Sequence, residues 1–226
     1  MNKIILGDCK EEINNVEDSS IDLILIDPPY GIEYNDWNEI IFWGFLRNQF
    51  ERVLKNRGAL VIFQGWSNVC ETLIEFRKSF FLQDWIIWDR MKGRGAKKKL
   101  MNTREDILVF SKSGEYTYNK EFSKIEKKTK GFGTKNGSKY RALSNIWTDT
   151  ASIVPWSSEK LNHPTQKPLA LVERLVRVYS NEGDVVLDCF AGSGTTGKAC
   201  QNLKRDFLLI EKDEKYFNII KNRVGL

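Results

Sequence analysis

The hydrophobic pattern divides the chain into three stretches. In the first, short apolar runs at residues 3–6, 21–26, 59–63, 82–88 and 107–110 alternate with segments at 38–55 and 68–79, where apolar residues recur at helical spacing. The run Ile21-Asp22-Leu23-Ile24-Leu25-Ile26 is nearly continuous and branched, as a parallel strand covered on both faces requires. This alternation predicts an α/β fold, a mostly parallel sheet with helices on both faces. From Asp89 to about Asn162 the pattern breaks. Two Gly/Lys-rich stretches, 92–99 and 127–139, flank a predicted hairpin over 107–118 with Gly114 at its turn. After Pro168 the alternation resumes: a helix over 169–179, a strand over 185–187, a glycine loop, a helix to about 203, a strand over 207–210 and a last helix from Glu214. With no internal repeat and no Pro/Ser-rich linker, the expectation is one domain spanning 1–226 with an insertion at approximately 90–160.

The 226 residues suffice for one sizeable α/β core and such an insertion. No apolar stretch reaches membrane-spanning length, and Met1-Asn2-Lys3 leads directly into a strand-like run, so an intracellular, cytoplasmic protein with no membrane partner is expected. Cys9, Cys70, Cys189 and Cys200 lack the close spacing of a metal site and read as reduced thiols. The net charge of +5 is unevenly placed: residues 90–141 carry 16 Lys and Arg against 5 Asp and Glu, while the rest of the chain is net acidic. A dense basic block inside an acidic protein is the footprint of a chain that neutralises phosphates, although such a block can also be a solvated face. The candidate contacts are Arg90, Lys92, Arg94, Lys97, Lys98, Lys99, Lys139 and Arg141.

Two motifs carry chemistry. Asp27-Pro28-Pro29-Tyr30 closes the run 21–26 at once, because neither proline has an N–H to give to a ladder. It places a carboxylate, a proline carbonyl and a flat ring at the carboxyl end of a strand, where open α/β sheets bind ligands. Two acceptors and a stacking face suit an exocyclic amine on a planar base. Further on, Asp188-Cys189-Phe190-Ala191-Gly192-Ser193-Gly194-Thr195-Thr196-Gly197-Lys198 follows a strand and opens a helix. Three readings fit it. Gly192, Gly194 and Gly197 satisfy the dinucleotide pattern, with Glu211 lying 17 residues after Gly194, so a nicotinamide-dependent oxidoreductase stays open. A P-loop is weak, since Ala199 stands where a magnesium-ligating Ser or Thr is needed. The third reading is an S-adenosylmethionine site, with Glu211 on the ribose hydroxyls and Asp188 near the α-amino group. Neither a hydride carrier nor an ATPase has use for a carboxylate-Pro-Pro-aromatic strand end.

These motifs, with His163-Pro164-Thr165-Gln166-Lys167-Pro168 ahead of a helix, resemble the amino-group DNA methyltransferases that act on adenine N6 or cytosine N4. The order, with the Asp-Pro-Pro-Tyr motif first, a basic insertion next and the glycine loop last, is similar to the permuted beta class of that family. The resemblance implies a Rossmann-like S-adenosylmethionine-dependent fold, base flipping, and restriction-modification biology with double-stranded DNA as partner. A homodimer and a cognate restriction endonuclease are partners compatible with it. It implies catalytic roles for Asp27, Pro28, Pro29 and Tyr30, with Phe190, Gly192, Gly194 and Thr195 in the cofactor loop. By the same resemblance Glu211 faces the ribose, Lys167 the methionine carboxylate and Asp8 the adenine, and residues 3–8 lie beside the strand ending at Glu211. No metal is implied. No Pro-Cys pair is present, unlike enzymes that methylate cytosine at carbon 5. Asp rather than Ser at the motif head favours adenine over cytosine N4. One departure is that Asp89-Arg90 follows Trp88 where relatives often carry a lysine. His163 is expected to shape the turn before Pro164, Trp85 and Trp88 to pack in the core, and Glu173 and Arg174 to face solvent.

Overall fold

The computed structural model describes residues 2–29, 39–94, 98, 100–126 and 140–226. In chain order the elements are β1 (Asn2–Leu6), α1 (Cys9–Glu12), β2 (Ile21–Ile26), α2 (Glu39–Val53), β3 (Leu54–Gln64), α3 (Val69–Phe76), β4 (Phe81–Arg94) and β5 (Asn102–Ser111). They continue with β6 (Lys124–Glu126), β7 (Tyr140–Ala142), β8 (Ile146–Trp147), α4 (Leu169–Tyr179), β9 (Val185–Asp188), α5 (Thr195–Asn202), β10 (Asp206–Glu211) and α6 (Glu214–Val224). Eight strands form one sheet in the order β1-β10-β9-β2-β3-β5-β4-β8, and β6 pairs with β7 apart from it.

The period of two along each strand sorts its side chains onto two faces, and a separate core covers each. On β2, Leu23 and Leu25 join the core that also holds Leu171, Leu175 and Val176 of α4. Ile24 and Ile26 join the opposite core with Phe50 of α2 and Phe76 of α3. A strand with apolar demand on both faces has to lie in the middle of the sheet, which is why residues 21–26 are apolar almost throughout.

Strands β1, β10, β9, β2 and β3 run parallel, so their carboxyl ends share one edge. The crossover from β2 leads outward to β3, whereas that from β9 leads to β10 on the other side. The strand order therefore reverses between β2 and β9, and the crevice at such a switch point is where doubly wound sheets take ligands. Leu6 pairs with Glu211, and the Gly7 N–H donates to the Glu211 carbonyl at 3.0 Å, so the amino-terminal strand lies beside β10 as expected.

The expected hairpin over 107–118 is not formed. Residues 107–110 are fully buried and lie in β5, which runs antiparallel between β3 and β4. Burying Ile107-Leu108-Val109-Phe110 on two sides removes more apolar surface from water than an edge hairpin would. The chain then leaves the sheet after Ser111: Lys112 Nζ donates to the Leu54 carbonyl at 2.9 Å, and the Thr117 N–H to the Arg57 carbonyl at 3.0 Å. Nor does the strand pattern stop at Asp89, since β4 continues to Arg94. Trp88 is buried and donates its indole N–H to the Thr150 carbonyl at 2.7 Å. Arg174, expected to be a solvated charge, instead pairs with Asp149 at 2.7 Å and covers the buried Trp147 ring at 4.9 Å. Periodicity along α4 could not reveal that partner, because Asp149 and Trp147 arrive from a separate loop and strand.

At the amino-terminal end of the sheet Asp22 ties three strands together. Its carboxylate accepts from Lys55 Nζ at 2.8 Å and from the Val185 N–H at 2.9 Å. Asp22→Ala should lower stability by about 1–3 kcal/mol, because a strand-end N–H and an ammonium both lose their acceptor. Urea unfolding of the variant beside the parent checks this, and an unchanged midpoint would show that these bonds contribute nothing net.

Candidate functional site

At the end of β2 the two prolines terminate the ladder, and Asp27 is presented half-buried at the sheet edge. Its Oδ2 lies 2.5 Å from Lys167 Nζ, which also lies 3.1 Å from Glu105 Oε2 on β5 and 5.0 Å from the centre of the Phe63 ring. Burial works against the lysine's charge, but Asp27 and Glu105 outweigh it, so the ammonium is held more firmly protonated than an ordinary lysine. Tyr30 lies outside the described residues. Lys167 is placed between two carboxylates of the protein itself, a partnership that the motif around it does not signal.

At the end of β9, Asp188 accepts from the Phe190 N–H at 3.0 Å and from the Thr196 hydroxyl at 2.6 Å. Burial, offset by these bonds and reinforced by the charges of Asp27 and Glu211, pushes its carboxyl up to about 7. The loop that follows needs its glycines for two different reasons. Gly192 has φ +51, and a Cβ there would sit 2.9 Å from His163 Nε2. Gly194 has φ +73 and caps the amino end of α5, packed against Ile220 behind the loop. Arg223 of α6 fastens the loop by donating to the Ser193 carbonyl at 3.1 Å and to Thr195 Oγ1 at 2.8 Å.

Glu211, ending β10, accepts from the Gly192 N–H at 2.7 Å and the Asp213 N–H at 2.9 Å. Burial raises its pKa, and those backbone bonds limit the rise. Asp8 caps α1 by accepting from the Lys10 N–H at 2.9 Å. These ends open onto one cavity of about 580 Å³, lined by Asp8, Asp27, Lys167, Asp188, Phe190 and Glu211 among others. Gly192, Thr195, Pro28 and Pro29 line it too, whereas Gly194 does not.

Several participants carried no sequence signal. Trp43 of α2 and Gln64 of β3 line the cavity from elements that only the fold brings close. His163, expected only to shape a turn, lies edge-on to Tyr216 with ring centres 4.5 Å apart and also lines the cavity. Burial, with Lys160 and Lys167 nearby, pushes its imidazole down to about 4, so it is neutral at pH 7. Its Nδ1 is buried with no hydrogen-bond partner among the described residues.

Of the basic candidates, Lys92, Lys98 and Arg141 are exposed and Arg94 ends β4. Lys97, Lys99 and Lys139 lie outside the described residues. Arg90 does not reach outward as expected: its guanidinium donates to the Asn102 carbonyl at 2.9 Å and pairs with Glu105 at 3.5 Å. It closes the base of the β4–β5 hairpin, which a charge count cannot distinguish from a solvated arginine.

Known proteins match this architecture along its whole length. A family of DNA methylases, the N6/N4 methyltransferases, matches residues 21–222. The Type II methyltransferase M1.MboII of Moraxella bovis is 33% identical over 96% of this chain and 94% of that protein. The DNA adenine methyltransferase YhdJ of Escherichia coli (strain K12) is 34% identical over 99% of this chain and 82% of its own length. The crystal structure of the M1.HpyAVI-SAM complex superposes with a TM-score of 0.75 at 28% identity, covering 100% of both chains. With the sheet order, the converging strand ends and these matches in agreement, the chain belongs to the N6/N4 DNA methylase family.

Proposed function

We propose that this protein transfers a methyl group from S-adenosylmethionine to the N6 amine of adenine in double-stranded DNA. The observation that carries the reading is that Asp27 and the glycine-loop strand ends, Asp188 and Glu211, open onto one cavity across the switch point. The cavity suits the cofactor: about 580 Å³ with apolar walls, a carboxylate at each of three strand ends and the Phe190 ring. When bound, the cofactor supplies a methyl group already activated by its sulfonium. Asp188 would hold the α-ammonium, and Glu211 the ribose hydroxyls. Asp27 and the Pro28 carbonyl would accept the two N–H bonds of the adenine amine, turning its lone pair out of ring conjugation toward the cavity. Tyr30 would stack on the extruded base. Adenine over cytosine N4 is supported by Asp at the motif head and by the name of the YhdJ relative. The nicotinamide reading loses its support, because the family match spans the glycine loop.

The basic segments within 90–160, apart from β5, would serve as the recognition insertion. Lys92, Lys98 and Arg141, together with Arg94, Lys97, Lys99 and Lys139, would meet phosphates, while Arg90 supports the β4–β5 pairing beside Lys92. Cytoplasmic action, a homodimer and a cognate endonuclease belong to the same reading of a restriction-modification enzyme.

Asp27→Ala should abolish methyl transfer while cofactor affinity by calorimetry stays close to the parent's. Equal loss of both would make Asp27 a cofactor or structural residue. For the target base, methylome sequencing of DNA from expressing cells should show N6-methyladenine at one site, and N4-methylcytosine alone would overturn the adenine assignment.

Asp188 generates a prediction with opposite signs for stability and binding. Its folded pKa, about 7, lies above the ordinary carboxyl value of 3.8, so the fold loses stability as pH rises from about 4 to 7 and carries the full penalty above that. An Asn side chain can accept from the Phe190 N–H with its oxygen and donate its amide N–H to the Thr196 hydroxyl, without the charge. Asp188→Asn should therefore be more stable than the cofactor-free parent at pH 8, with the gap closing toward pH 4, and should bind cofactor more weakly. Thermal melts across that range and calorimetry at pH 8 measure the two effects, and a less stable variant at pH 8 would refute the burial argument.

Neutralising Lys97, Lys98 and Lys99 together should weaken binding to target and non-target duplexes alike. It should also flatten the slope of log affinity against log salt by up to about one unit for each phosphate left without its lysine. An unchanged slope in the salt titration would mark these lysines as a solvated face.

A further inference from the structure

Trp147 and Trp156 stand nine positions apart and end in opposite environments. Trp147 is buried, whereas Trp156 is 82% exposed. The turn that carries Trp156 is closed by the Ser157 N–H on the Val154 carbonyl at 3.0 Å, with Pro155 presetting its first corner and Trp156 at the second. The segment is fastened on both sides. Upstream, the Thr150 carbonyl accepts from the Trp88 indole, and the Ser152 N–H donates to the Arg90 carbonyl at 3.0 Å, so it is tied twice to β4. Downstream, the buried Gln166 side chain bonds the Glu159 carbonyl and the Leu161 N–H, each at 2.8 Å, and Gln166 itself lines the cavity.

Strand direction places this turn. β8 runs parallel to β4, and β4 and β3 are both antiparallel to β5, so β8 points the same way as β3 and β2. The chain leaving β8 after Trp147 therefore emerges at the sheet edge where the cavity opens, and β4 carries the exposed Lys92 out at that same edge. Trp156 is thus held outward between a basic strand end and the cavity wall, without itself lining the cavity.

We infer that Trp156 is a DNA-contact residue that holds the duplex open, its indole stacking on the base faces uncovered where the target adenine leaves the helix. The inference rests on the reading of the protein as a DNA methyltransferase that extrudes its target. Extrusion strips the neighbouring bases of a stacking partner, and a large planar ring replaces it whatever the base. Covering the indole removes apolar surface from water, and the preformed turn leaves little of the backbone to be ordered on binding. Lys92 supplies the same edge with charge for the flanking phosphates. The role is separate from that of Tyr30, which would meet the extruded base.

The test uses Trp156→Ala and Trp156→Phe with DNA carrying the site that methylome sequencing returns. Trp156→Ala is expected to lower kcat/KM for methyl transfer to the intact duplex by about 5- to 100-fold, the effect of losing one aromatic–base stack. Cofactor affinity by calorimetry and the melting temperature should match the parent's, because the ring is exposed and outside the cavity lining. With the target adenine set in a short bubble of unpaired bases there is no intact helix to hold open, so parent and Trp156→Ala should agree within about twofold. Trp156→Phe keeps a ring and should retain most of the activity on the intact duplex. An unimpaired Trp156→Ala, an equal loss on duplex and bubble, a matching loss of cofactor affinity, or a Phe variant as impaired as the Ala variant overturns the inference. A parent that transfers no methyl group to either DNA removes the underlying reading and the inference with it. A parent active on both beside an unimpaired Trp156→Ala overturns the inference alone.

Discussion

Three carboxylates at the ends of parallel strands face one cavity, and most of the site's construction follows from having to hold them there. Asp27, Asp188 and Glu211 end β2, β9 and β10, and sheet register brings them to the same edge. Like charges in a partly dry crevice raise each other's cost, as the upward pull of Asp27 and Glu211 on Asp188 records. Each is handled differently. Asp27 has a buried ammonium, Asp188 has an N–H, a hydroxyl and a raised pKa, and Glu211 has backbone N–H donors from the loop it faces.

These solutions suit different tasks. A carboxylate paired with a fixed, buried cation is held in one orientation. One poised near neutrality gains most when a cationic group enters, because its own burial penalty is then offset. One capped by backbone is oriented before the ligand arrives, so less ordering remains at the moment of binding. The glycine loop connects the second and third, since the Gly192 N–H donates to Glu211 while Thr196 donates to Asp188.

The segment between Asp89 and Pro168 adds strands to the sheet as well as exposed charge. β5 supplies part of both cores and carries Glu105 to Lys167, while its neighbours present an exposed basic surface. Arg90 stands at the boundary, bonded to the hairpin base on one side and to Glu105 on the other. Charge that looks uniform along the sequence is thus divided between a buried ion-pair chain and outward lysines.

Much of the architecture was legible in residue order alone. The strand 21–26, the stop at Pro28-Pro29, the loop 188–198 and Glu211 are local features: apolar runs, missing N–H groups and small residues act within a few positions of themselves. Those features were enough to place Asp27, Asp188 and Glu211 at strand ends, and the parallel sheet followed from their alternation with helices. What only the tertiary structure decided involves partners far apart in the chain. Ile107 to Phe110 could pair locally or enter the sheet, and the choice fell to burial between β3 and β4. Lys167 meets Asp27 across 140 positions, and Glu105 and Arg223 reach the site from β5 and α6. Side-chain charge fixes what such groups require, but which opposite charge satisfies them depends on where the folded backbone leaves them.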